Sequence, residues 1–229
     1  LNYRLVPSEW AYIINDAGAE MLIASDDYVD QIGEIRDELG SVKHLVVIGE
    51  ANQAEWINFH SWIADRPISP PNLSISPDDD AIQMYTSGTT GHPKGAVLTH
   101  RTLTANLAQS APTVDIRPGE RLLLASVLYH VAGTWIVFSG FQRGASLVIH
   151  KEFVAADVVR ALADEEIHWT LLPPAMIQLC LVSVPDVAQR NYPTLRGIVY
   201  AGSPIAEETL RLAINTFKCE FVQLYGMTE

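Results

Sequence analysis

The stretch "MYTSGTTGHPKGAVLTH", Met84–His100, decides how the chain reads. Apolar residues lead into it, hydroxyls broken by glycines fill its middle, and Gly91, Pro93, Lys94 and Gly95 follow. Upstream, "AIQMY" has the apolar, short character of a strand, and downstream "TLTANLAQS" reads as a helix leaving the loop. In the loop, Thr86, Ser87, Thr89 and Thr90 offer hydroxyl donors, while Gly88 and Gly91 free the backbone to curl. Successive N–H groups in such a curl form an anion-binding concavity, to which Lys94 adds a point charge. The pattern is not the Walker loop, which needs Gly-Lys-Ser/Thr, because Lys94 lies between Pro93 and Gly95. On residue types alone two readings stand: a cradle for nucleotide phosphates, and a surface turn, for which Gly, Ser, Thr and Pro are ordinary.

Outward from the loop, helical and strand patterns alternate. "SEWAYIINDAG" places Trp10, Ile13, Ile14 and Ala17 on one helical face and stops at Gly18. "EMLIAS" and "HLVVIG" are strands, with one amphipathic helix between them from about Asp26 to Gly40. "AEWINFHSWIAD" is helical in period, and the proline- and serine-containing run 67–77 is the candidate subdomain boundary. Beyond the loop, "RLLLASV", "ASLVIH", "WTLLP", "GIVYAG" and "EFVQLYG" read as strands. Helical stretches around Trp135, Val158, Met176 and Leu210 separate them. Strands apolar on both faces, alternating with helices, give an α/β class with layered, largely parallel sheets covered by helices.

Composition bounds the function. The 229 residues are 48% hydrophobic and 18% charged, enough apolar matter for a packed core. A formal charge of −12 repels phosphate backbones at long range and argues against nucleic acid. It leaves room for one phosphorylated small molecule held by local donors. Cys180 and Cys219 match no metal or redox spacing, and Cys180, in "AMIQLCLVSV", reads as a buried small hydrophobe. The first residues resemble no signal peptide, so the location expected is cytoplasmic. Leu122–Phe141 is uncharged and long enough for a bilayer, which takes about 20 apolar residues. A strand, a loop around Tyr129 and His130, and a buried helix laid end to end account for it better. No transmembrane segment is expected.

The order of residues in "YTSGTTGHPKG" resembles the phosphate-loop signature of the adenylate-forming enzymes: acyl-CoA synthetases, luciferases and peptide-synthetase adenylation domains. "LYHVAG" (128–133) resembles their histidine-bearing acyl-pocket element, and "YGMTE" (225–229) their Tyr-Gly-x-Thr-Glu element. "YAGSPI" (200–205) is similar to the Gly-Gly-Ala-Pro segment beside adenine, departing from it at Ala201 and Ser203. The opening "LNYRLVPSEWAYIINDAGAEMLIAS" also fits, so the resemblance spans essentially the whole chain. "LYHVAG" and the Met before Thr228 favour the acyl-CoA synthetase branch over peptide synthetases.

The reaction the resemblance implies is attack of a carboxylate on the α-phosphorus of ATP, then transfer of the acyl group to coenzyme A. Thr86, Ser87, Gly88, Thr89, Thr90, Gly91 and Lys94 would hold the leaving pyrophosphate. Thr228 would donate to the α-phosphate, Glu229 would ligate Mg²⁺, and Tyr225 and Gly226 would pack at the adenine with Gly202 and Ser203. Lys94, Thr228 and Glu229 are thus the catalytic candidates. His130 and Gly202 would line the pocket of a small carboxylic acid, fatty, aryl or other. On residue type alone, His130 also reads as a core histidine. His92 is read as exposed. Glu207 and Glu208 suit the first turn of a helix predicted from Pro204. The resemblance also implies a partial N-terminal adenylation domain, lacking the family's ribose-binding aspartate and C-terminal lysine and with little turnover of its own. The competing class is a nucleotide-binding or structural module without turnover.

Overall fold

The structure is a computed structural model and describes residues 1–51, 53–87 and 91–229. The chain forms two compact units, Leu1–His100 and Arg101–Glu229.

In the first unit, α1 (Pro7–Asp16) starts on a proline whose missing N–H costs nothing there. The Glu9 carboxylate accepts from the Val6 N–H at 3.0 Å. The helix ends in a Schellman closure over Gly18, with Ala19 N–H donating to Ile14 and Gly18 N–H to Asn15. Trp10, Ala11, Ile13 and Ile14 are buried, whereas Ala17 is exposed at the cap. Strands β1 (Met21–Ser25), β2 (His44–Ile48) and β3 (Trp56–Asn58) make a parallel three-stranded sheet in that order. Leu45, Val47 and Trp56 of this sheet share a core with α1 and with Val29, Ile32, Ile35 and Leu39.

Two helix assignments change. The predicted helix of 26–40 is broken into a 3₁₀ turn, α2 (Val29–Glu34) and a second 3₁₀ turn, Arg36–Glu38. Gly33, a poor helix former, sits at the break, and the apolar positions stay on the core. "AEWINFHSWIAD" is not one helix: Trp56–Asn58 pairs with β2, and only α3 (Phe59–Ala64) is helical. Burial of Trp56 beside Leu45 overrode the helical period. Asn58 then caps α3, its side-chain oxygen accepting from Ser61 N–H at 3.2 Å.

The quoted loop is not strand–loop–helix. It joins β4 (Asp80–Thr86) to β5 (Lys94–Thr99), an antiparallel hairpin that pairs Thr86 with Lys94 and Met84 with Ala96. Helix α4 (His100–Ser110) starts only after β5. The alternation Lys94–Ala96–Leu98 on one side of β5 is a half-buried strand pattern, with Leu98 in the interior.

The second unit is a parallel five-stranded sheet in the order β10-β9-β8-β6-β7. Its strands are β6 (Arg121–Leu124), β7 (Ser146–Ile149), β8 (Trp169–Leu171), β9 (Gly197–Tyr200) and β10 (Glu220–Gln223). One face carries Leu123, Ile198 and Tyr200, packed in a core with residues of α6 (Ala155–Asp164), α7 (Pro174–Ser183) and α8 (Glu207–Phe217). The other carries Leu122, Leu124, Trp169, Leu171 and Val199 under α5 (Val131–Arg143). Leu122–Phe141 is therefore strand, loop and a helix buried along one side, with Phe141 exposed, and among the described residues no helix is long and apolar enough to cross a membrane. Cys180 is fully buried, which pushes its thiol up to about 12. Helix α8 begins at Glu207 rather than Pro204, with Glu207 and Glu208 in its first turn.

At the amino-terminal edge of this sheet, Arg196 closes a polar knot. Its guanidinium donates to Glu120 Oε1 at 2.5 Å, to the Asp115 carbonyl at 2.7 Å and to Asp115 Oδ2 at 3.0 Å. The Glu120 side chain is only 8% exposed, so Arg196 is the charge partner of a largely buried carboxylate. Arg196→Met is expected to lower stability by about 2–4 kcal/mol, measured by denaturant unfolding of the intact protein. The double variant with Glu120→Gln should lose less than Arg196→Met alone, because no buried charge is then left unpaired.

Candidate functional site

The candidate residues fall in two groups, one in each compact unit. The first is the β4–β5 hairpin. Thr86 and Lys94 are cross-strand partners, so their side chains leave the same face, the one that buries Met84 and Leu98. Lys94 is exposed, as is Ser87, and Thr86 is half-buried. Gly91 has φ +109°, a conformation that suits glycine. Gly88, Thr89 and Thr90 lie outside the described residues.

The opposite face of the hairpin is tied to α1. Tyr85 lies across Gly95, where a side chain would run into the Gln83 amide and the Tyr85 ring carbon Cζ, 3.0 Å from its Cβ. The Tyr85 hydroxyl donates to Asp16 Oδ2 at 2.6 Å and accepts from Gln83 Nε2 at 3.2 Å. Burial and the Asp16 carboxylate together hold the Tyr85 phenol above its ordinary pKa, so it remains a donor at neutral pH. Tyr12 donates to the Pro93 carbonyl at 3.3 Å, and its ring stacks on His92 with centroids 4.9 Å apart. His92 is exposed, as the sequence suggested, but it has this aromatic partner. Sequence reasoning missed Tyr12 and Asp16. Nothing in the sequence links residue 16 to residue 85; only the fold does.

The second group gathers at one edge of the parallel sheet. Because all five strands run the same way, their carboxyl ends lie together. β6 runs out into 125–130, which ends on His130; β9 into 201–206 with Gly202 and Ser203; β10 into 224–229 with Tyr225, Gly226, Thr228 and Glu229. The register is tight there: Leu224 N–H donates to the Tyr200 carbonyl and Leu172 N–H to Val199, both at 2.9 Å. From β6 the chain goes to β7 on one side and then crosses back to β8 on the other. Such switch points are where open α/β sheets take ligands.

His130 is the N-cap residue of α5 and is exposed, so it is no core histidine. Thr134 ties its backbone down, its N–H donating to the His130 carbonyl at 3.2 Å and its hydroxyl to the Leu128 carbonyl at 3.0 Å. Gly133 lets the helix start pack on the loop: a Cβ there would collide with the Val127 carbonyl oxygen and stand 2.9 Å from its carbon. Gly202 has φ +89°, Ser203 and Gly226 are exposed, Tyr225 is 96% exposed, and Thr228 and Glu229 are half-buried and exposed. These residues bring hydroxyl, carboxylate, imidazole and aromatic groups to a single edge. Gly133→Ala is expected to destabilise by about 1–3 kcal/mol through this overpacking, measured as a shift in the unfolding midpoint.

Comparison with known proteins adds a second line. A profile of the family described as AMP-binding enzyme matches residues 1–229. The chain is 32% identical to the fatty acid–[acyl-carrier-protein] ligase ScoC of Streptomyces coeruleorubidus, over 100% of the chain and 43% of the relative. It is equally 32% identical to the long-chain-fatty-acid–CoA ligase FadD13 of Mycobacterium tuberculosis, over 100% of the chain and 44% of the relative. An inhibitor-bound crystal structure of the N-terminal domain of FACL13 from M. tuberculosis superposes with a TM-score of 0.89 at 30% identity, covering 100% of this chain and 56% of that one. The chain thus spans less than half the length of these curated relatives. With a matching profile along all its residues and the fold of an acyl-CoA synthetase N-terminal domain, the chain belongs to the AMP-binding enzyme family of adenylate-forming ligases.

Proposed function

We propose that the intact protein activates a carboxylic acid, a fatty acid first among candidates, as its acyl-adenylate and passes the acyl group to the thiol of coenzyme A. A carboxylate oxygen attacks the α-phosphorus of ATP, and the bond to the bridging oxygen of pyrophosphate breaks. The thiolate then attacks the acyl carbon and AMP leaves, so neither step needs an oxidant or a covalent enzyme intermediate. What supports the reading is the family membership together with the carboxyl edge that gathers 125–130, 201–206 and 224–229.

In this reading the enzyme's task is to hold charge in place rather than to supply a nucleophile. Lys94 with Thr86, Ser87, Gly88, Thr89, Thr90 and Gly91 neutralises the departing pyrophosphate. Thr228 donates to the α-phosphate, Tyr225 and Gly226 flank the adenine with Gly202 and Ser203, and His130 with Gly202 borders the acyl carboxylate. Glu229 and the Thr228 hydroxyl are hard oxygen donors, the type Mg²⁺ takes alongside phosphate oxygens. When bound, Mg²⁺ would offset the charge on those phosphate oxygens.

A second reading concerns the acceptor alone. ScoC is named as a ligase that uses an acyl-carrier protein, and the chain is as similar to it as to FadD13. A phosphopantetheine thiol on a carrier protein presents the same nucleophile as coenzyme A.

Acid-dependent exchange of labelled pyrophosphate into ATP tests the first half-reaction. Exchange with members of a fatty and aryl acid panel is expected, and silence across the panel would sink the proposal. Lys94→Ala should lower exchange by about 100-fold with the circular dichroism spectrum kept. Feeding a preformed acyl-adenylate with coenzyme A, or with a phosphopantetheinylated carrier protein, separates the two acceptors.

A further inference from the structure

Tyr12 and Asp16 sit one helical turn apart, so they share a face of α1. That face is not the one carrying Trp10, Ile13 and Ile14 into the core. Asp16 is also the last residue of its helix, where a negative charge opposes the macrodipole and does nothing for helix stability. Both side chains instead reach the hairpin. Asp16 accepts from Tyr85, the residue before Thr86 on β4. Tyr12 donates to the carbonyl of Pro93, the residue before Lys94 on β5, and stacks on His92. Each arm of the hairpin is therefore tethered one residue from the Thr86–Lys94 pair, and the Tyr85 side chain leaves from the face opposite to those two side chains. Gly95 makes the arrangement possible by leaving Tyr85 room to cross β5.

We infer that Tyr12 and Asp16 are positioning residues for adenylate formation: they fix the two arms of the hairpin so that Lys94 and Thr86 stand ready for the pyrophosphate. The inference rests on the phosphate-loop reading proposed above. It goes beyond that reading in assigning a role to α1, a helix that carries none of the candidate site residues. Positioning of this kind acts on one half-reaction only. Thioester formation from a preformed adenylate involves no β- or γ-phosphate and has no use for the tether.

The test compares Tyr12→Ala, Tyr12→Phe, Asp16→Ala and Asp16→Asn with Lys94→Ala in the intact protein, reading both half-reactions and the melting temperature. Tyr12→Ala and Asp16→Ala should lower pyrophosphate exchange at least about tenfold, while transfer of a preformed adenylate to the thiol stays within about twofold. Asp16→Asn keeps an acceptor oxygen for Tyr85 and should recover most of the exchange. Tyr12→Phe removes a single oxygen, keeps the stack on His92 and should fall between wild type and Tyr12→Ala. Normal exchange in both alanine variants overturns the inference. So does a parallel loss of both half-reactions with a lowered melting temperature, which marks a merely structural role. If Lys94→Ala itself exchanges normally, the phosphate-loop reading fails and this inference with it. If Lys94→Ala is impaired and the α1 variants are not, only this inference fails.

Discussion

A parallel sheet that is apolar on both faces leaves its edges as the only places for polar chemistry. In the second unit Leu122, Leu124, Trp169 and Val199 face one helix layer, while Leu123 and Ile198 face the other, and all are buried. Neither face can admit a triphosphate. The amino-terminal edge is occupied by the Arg196, Glu120 and Asp115 knot, whose role is to pair a buried carboxylate. The carboxyl edge is where the polar and glycine-containing segments are spent, and they come from strands that are neighbours in space though far apart in sequence.

The first unit solves a different problem. The segment between β4 and β5 is rich in glycine and hydroxyl residues, which contribute little burial of their own. An antiparallel hairpin supplies the missing rigidity through main-chain pairing up to Thr86 and Lys94. Its buried face holds Met84 and Leu98, and its other face is held by Tyr12 and Asp16 of α1. Helix α1 is in turn anchored by Trp10 and Ile14. The mechanical chain therefore runs from an ordinary apolar helix face to the residues beside Lys94, for which a catalytic role is proposed above.

A net charge of −12 is compatible with binding a polyanion because the range of the two effects differs. Charges spread over the surface are screened beyond about 8 Å at physiological salt, whereas a lysine and backbone N–H groups act at contact distance. In the reading proposed above, long-range steering of ATP is weak and local donors carry the recognition.

Much of this was legible in the chain itself. Apolar strands alternating with amphipathic helices gave the α/β class, and the glycine-and-hydroxyl pattern before Lys94, with "LYHVAG" and "YGMTE", gave the family. Those signals are local, written in period and order within a few residues. Trp56 as a strand residue and β5 in place of a direct run into a helix were not legible, because each depends on a partner strand that the local pattern does not contain. The tether of Tyr85 to Asp16 spans 69 positions, and the gathering of His130, Gly202 and Glu229 on a single sheet edge depends on strand order. Residue type and spacing specify which groups are available; the pairing of distant strands decides which of them meet.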